Sequence, residues 1–151
     1  MSNLLTDVVV EKICNYTSAA TDATTDCTIV DMAGYDEVTF ICALGTVTNT
    51  AVVTFQIGQY TASVSGSMVV STATSGAITS DGTTIALSNK MLILTVTKPK
   101  YRYLEAQVVK ATANVVIDSV IAIKSKARNR GTSQSSTHVY SSAVHASPVA
   151  A

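Results

Sequence analysis

Charge is what this sequence has least of. Asp, Glu, Lys and Arg make up 13% of its 151 residues, about half the roughly 25% of an ordinary soluble domain. Its ten basic and ten acidic groups cancel to a formal net charge of +0, so little repulsion holds copies apart. Tryptophan is absent and aromatics stand at 5%, which speaks against a sugar-binding face built from exposed rings. Disorder goes with low hydrophobicity and high net charge, yet hydrophobic residues reach 47% here. No apolar run approaches the roughly 18 residues that a membrane-crossing helix needs. No signal-peptide pattern opens the chain, and synthesis in the cytoplasm is expected. The three cysteines, Cys14, Cys27 and Cys42, form no C-x-x-C pair and lack the fourth ligand of a thiolate metal site. Cys14 and Cys42 sit in apolar runs, where a free thiol acts as a small buried hydrophobe.

What is present is strand signal. Residues 51–59 alternate Val53, Phe55 and Ile57 against Thr54, Gln56 and Gly58, the period of a half-buried strand. Further strands are predicted over 38–44, ended by Gly45, and over 68–70, 85–87, 91–96, 103–109 and 115–123. Turn residues separate them at Ser65-Gly66, Ser75-Gly76, Asp81-Gly82, Ser88-Asn89 and Lys98-Pro99. Residues 4–14 carry helix-compatible charges at Asp7, Glu11 and Lys12, but Val8-Val9-Val10 favours a strand. The expectation is all-β: a single β-sandwich or jelly-roll-like domain of about seven to nine short antiparallel strands. It spans residues 1–124, with a basic linker and extended C-terminal tail over 125–151.

That tail holds too few large apolar groups to fold alone. It is expected to gain order by packing on its own body, a sister subunit or a shell. Its bulky or rigid residues, Val139, Tyr140, Val144 and Pro148, are the expected anchors. The basic run Lys124, Lys126, Arg128 and Arg130 completes the expected interface. Between residues 38 and 80 there is no charged side chain at all. Acidic groups (Asp22, Asp26, Asp31, Asp36, Glu37) precede this stretch and basic groups follow it. Strand edges without charge invite pairing with other chains, and ends of opposite sign steer such contacts.

Chemistry finds little purchase. Both histidines, His138 and His145, lie in the tail, away from any strand that would hold a base beside a nucleophile. Asp36 and Glu37 are adjacent, so on a strand they face opposite ways. Asp22, Asp26 and Asp31 sit in a Thr-rich loop region where oxygen ligands suit a hard cation, but the order of an EF-hand is missing, and turn or solvation roles fit them better. Clustered Lys and Arg at 124–130 suit phosphate, but net charge is zero and no aromatic platform adjoins the run, so direct nucleic-acid contact is not expected. Tyr101 and Tyr103, on one face of a strand, anchor a sheet or interface. No catalytic, cofactor or metal site is expected.

The segment VDMAGYDEVTF at 30–40, followed by Leu44-Gly45-Thr46-Val47-Thr48, resembles small structural proteins of tailed-phage and prophage head gene clusters. So do the stretch from Tyr101-Arg102-Tyr103-Leu104 through Ala111-Thr112-Ala113-Asn114 to residues 117–123, and the ending with Thr137-His138 and Ser147-Pro148. The resemblance covers most of the chain; its motifs are strand-and-turn patterns, and it departs at residues 60–84, where more acidic loops belong. It implies a capsid decoration, or cement, protein, a β-rich homotrimer seated on the virion surface against the major capsid protein. A tail, neck or head-fibre component is the alternative, followed by a host-surface or carbohydrate-binding β-sandwich.

Overall fold

The computed structural model describes residues 7–63, 71–127 and 137–139, with the backbone alone at 71 and 72. Eleven strands form in order: β1 (Val9–Cys14), β2 (Thr17–Ala20), β3 (Ala23–Asp26), β4 (Val30–Asp31), β5 (Tyr35–Val47), β6 (Val52–Tyr60), β7 (Ser71–Thr74), β8 (Ile78–Thr79), β9 (Met91–Thr97), β10 (Tyr103–Ala111) and β11 (Val115–Ala127). They make two antiparallel sheets. Sheet A runs β1-β11-β5-β9, with β2 also on β11; sheet B runs β3-β10-β6-β7, with β4 also on β10 and β8 on β6.

Three of the short strands are continuations rather than independent arms. β1 and β2 both lie along β11, β3 and β4 both lie along β10, and β7 and β8 both lie along β6. Merging each pair leaves eight arms, ordered 1-8-3-6 in one sheet and 2-7-4-5 in the other. That interleaving is a jelly roll. The count of seven to nine arms expected from the sequence therefore stands once broken arms are joined.

The two sheets close on one core. Val38, Phe40, Cys42 and Leu44 of β5 and Ile117, Val120 and Ala122 of β11 face Val53, Phe55 and Ile57 of β6 and Leu104, Ala106 and Val108 of β10. Alternation along each strand makes this possible, since successive side chains point to opposite faces.

Several expectations need correction. Residues 85–87 form no strand: Ile85 N–H and Thr83 N–H donate to the Asp81 carboxylate at 2.8 Å each, curling the segment into a loop. Gly45 does not end its strand, because β5 continues to Val47. A Cβ there would stand 2.7 Å from Asp118 Oδ1 and 2.8 Å from Val116 Cγ1. The register of β11 against β5 shifts twice in this region, so the glycine admits a bulged partner strand rather than a turn. Asp26 and Asp31 lie in strands rather than in a loop. Tyr101 precedes β10 instead of sharing a strand face with Tyr103. Strand β11 continues through Ala127, so Lys124 and Lys126 belong to the body rather than to a linker. The strand expected at 68–70 lies outside the described residues.

Candidate functional site

The two sheets present different outer faces. On sheet B, one row across four strands reads Asp26, Gln107, Gln56, Thr74. Gln107 Nε2 donates to Asp26 Oδ1 at 2.7 Å, and Gln56 Nε2 donates to Gln107 Oε1 at 3.1 Å. This row is polar, and its side chains hydrogen-bond one another.

Sheet A is the opposite case. Its central row reads Lys12, Ile121, Ile41, Ile93. The neighbouring rows read Val10, Ile123, Thr39, Thr95 on one side and Ser119, Ala43, Met91 on the other. All of these point away from the core, since their strand neighbours Phe40, Cys42, Val120 and Ala122 point into it. Ile41, Ile121, Ile123 and Val10 are half-exposed, while Ile93 is 56% and Met91 62% exposed. Sequence reasoning missed this face, although its signal was legible. Strands β5, β9 and β11 run apolar without a break (FICAL, MLIL, VIAI), and unbroken apolar strands are the mark of a sheet covered on both sides.

Among the described residues the same face ends at an open edge. Among the described residues β9 pairs only with β5. From Met91 to Thr97 this edge carries no charge, and Lys90 and Lys98 bracket it. Soluble monomers usually blunt such an edge with charge or proline. An apolar patch thus adjoins an unblunted edge.

One end of the sandwich gathers ionic groups. Asp31 takes a bidentate pair from Arg102, Nε to Oδ1 and Nη2 to Oδ2 at 2.8 Å each, and accepts Ala33 N–H at 2.9 Å. The Arg102 guanidinium first, then that backbone bond, holds the Asp31 carboxyl below its ordinary range. Lys124 is buried; its ammonium pairs with Glu11 at 2.5 Å, donates to Asp31 O at 3.2 Å and lies 5.0 Å from the Tyr35 ring centre. Lys126 is exposed and pairs with Glu37 at 2.7 Å, which lowers the Glu37 carboxyl. Beside them the turn at 32–36 and the segment 98–102 enclose a cleft of about 510 Å3. Lys124 and Lys126, both expected at an interface, each pair with one of the chain's own carboxylates.

Acid should expose this arrangement. Asp31, Glu37 and Asp81 all titrate lower folded than free, Asp81 through the backbone N–H groups of Ile85 and Thr83. Their stabilising contribution is complete above the unfolded carboxylate range and disappears as pH falls through the folded values. Denaturant midpoints should therefore drop between about pH 5 and pH 2, and Asp31→Asn should flatten that drop. An equal drop in the variant would remove Asp31 from the account.

The remaining expectations fall as follows. Asp22 Oδ1 accepts Thr112 N–H at 3.1 Å, so Asp22, Asp26 and Asp31 each serve a separate protein partner. Among the described residues no group of three or more His, Cys, Asp or Glu is placed to hold a metal ion. Val139 is partly buried; Arg128, Arg130, Tyr140, Val144, Pro148 and His145 lie outside the described residues.

No protein-family model matches this chain, and no curated protein matches it. Among solved structures, it is similar to one described as "Bacillus endospore appendages form a novel family of disulfide-linked pili". That match has a TM-score of 0.45 and 14% identity, over 83% of this chain and 93% of the other. The class defined here is an all-β sandwich of jelly-roll topology with one apolar outer face.

Proposed function

We propose that this chain is a structural subunit that works by assembling with other polypeptides, of the capsid decoration or cement type in a tailed phage. The observation that carries the assembly reading is the Ile121-Ile41-Ile93 row on the outer face of sheet A, continuous with the uncharged β9 edge. The phage setting rests on the sequence resemblance. In this reading copies of the chain meet through that face as a homo-oligomer, a trimer being the form the resemblance implies. The tail residues Val139, Tyr140, Val144 and Pro148 reach the major capsid protein. Covering Ile93 and Met91 contributes about 1.5–3 kcal/mol for each side chain fully buried. Backbone pairing at the edge adds direction, because strand addition fixes register as well as contact. Bridged copies resist separation of the shell subunits beneath them.

Light scattering on the purified chain is the direct test. The wild type should be oligomeric at micromolar concentration. Ile93→Lys should weaken association by at least about tenfold, because the variant must desolvate an ammonium to close the contact. Its far-ultraviolet circular dichroism should stay unchanged, since Ile93 lies outside the core. A compact wild-type monomer would overturn the assembly reading. An oligomer that ignores empty phage shells would overturn the decoration reading alone.

A further inference from the structure

Cys14 and Cys27 belong to different sheets and meet at the seam between them. Cys14 ends β1 and pairs with Val120 of β11 in sheet A. Cys27 follows β3, and its N–H donates to Ala106 O of β10 in sheet B at 2.9 Å. One backbone bond crosses the seam, Thr28 N–H to Ile13 O at 2.9 Å. One residue along from that bond on each side stand Cys14 and Cys27. Their side chains are near enough to act on each other, Cys27 lowering the Cys14 thiol and Cys14 raising that of Cys27. That backbone bond holds the two segments together one residue from each cysteine, the kind of close approach that a disulfide requires.

The two thiols are unlike. Cys14 is half-exposed, with its sulfur 4.0 Å from Thr17 Oγ1. Cys27, then Thr17 and the charges of Lys110 and Lys12, hold its thiol below the ordinary range, against the opposing pull of burial. Lys110 is itself buried on the inner face of β10. Cys27 is buried, and Cys14 together with burial pushes its thiol up. Cys42 is fully buried and pushed up to about 12 by burial. Cys14 is thus the more accessible and more acidic thiol, Cys27 its buried neighbour, and Cys42 a core side chain.

We propose that Cys14 and Cys27 are a modification site, an oxidisable pair that closes to a disulfide stapling sheet A to sheet B. The oxidant class is a low-molecular-weight disulfide such as oxidised glutathione. The Cys14 thiolate attacks one sulfur of that disulfide; a new S–S bond forms, the old one breaks, and its electron pair leaves on one glutathione thiolate. The negative charge that held the Cys27 proton is then gone. Cys27 gives its proton to water or the released thiolate and attacks the Cys14 sulfur. The mixed disulfide breaks and a second glutathione departs. Two protein thiols are oxidised and one glutathione disulfide is reduced to two thiols. The bond closes a loop from 14 to 27 that contains β2 and β3, so it locks the first arm of each sheet to the other. This goes beyond the assembly reading and does not rest on it.

Oxidised glutathione at neutral pH, applied to the full folded chain, tests the proposal. The intact mass should fall by two hydrogens, and protease fragments should join Cys14 to Cys27. Tm should rise by about 5–10 °C, the shift that a loop of this length gives in a domain of this size. Cys27→Ser should stop at glutathione carried on Cys14, Cys14→Ser should form no link, and Cys42→Ser should close like the wild type. Unchanged mass, persistent glutathione on wild-type Cys14, or a link to Cys42 or between chains would each overturn the proposal.

Discussion

Phe55→Ala should cost about 3–5 kcal/mol of folding stability, read from the denaturant midpoint at unchanged slope. The chain has only two phenylalanines, and both, Phe40 and Phe55, are fully buried. They sit on opposite sheets, Phe40 on β5 and Phe55 on β6, within one cluster. Around them the cluster is mainly Val, Ile, Leu, Ala, Cys and Met, side chains too short to fill the space a phenyl ring leaves. Ordinary domains hold only about 5–15 kcal/mol in total, and a loss of this size removes a fifth or more of it. Thr54→Ala, one residue away on the outer face, should stay within about 0.5 kcal/mol. Similar losses from the two changes would mean that the sheets do not share a core as described.

The second large effect is expected at the Lys124–Glu11 pair. Their side chains are only 10% and 15% exposed, and removing one partner strands the other's charge at the end of the sandwich. Lys124→Met should therefore cost about 3 kcal/mol, and Glu11→Leu a similar amount. The double variant should recover most of that loss, because two apolar side chains in contact need no solvation. The contrast matters more than either single value. Additive losses would show that each residue acts through its own neighbours, Asp31 O and the Tyr35 ring for Lys124, instead of through the pair.

How much of this was legible in the sequence differs from strand to strand. In β6 the alternation of Val53, Phe55 and Ile57 with Thr54 and Gln56 announced a strand with one dry face, and it has one. In β5, β9 and β11 the strands were read but their second apolar face was overlooked, because an unbroken run such as Val120-Ile121-Ala122-Ile123 is most simply taken as core. Only the pairing rows show that alternate members of three such runs line up on the outside. The short arms β2, β3 and β4 were missed, since Thr17, Thr24 and Thr25 carry no apolar period. They are strands because β10 and β11 supply hydrogen-bonding edges to them. Residues 85–87 went wrong in the other direction: Ile85 and Leu87 have strand propensity, but the Asp81 carboxylate offers the backbone a local alternative.

By itself the sequence determined the class: a chain rich in β-branched residues and turn signals, poor in charge and without helical period, is confined to packed antiparallel sheets. The tertiary structure alone decided which residues meet across long separations. Asp31 with Arg102, Glu11 with Lys124 and Cys14 with Cys27 are set by strand order and register, and nothing in local composition encodes either. The physical reason is that propensity acts over a few neighbouring residues, whereas a jelly roll builds its contacts between strands placed far apart along the chain.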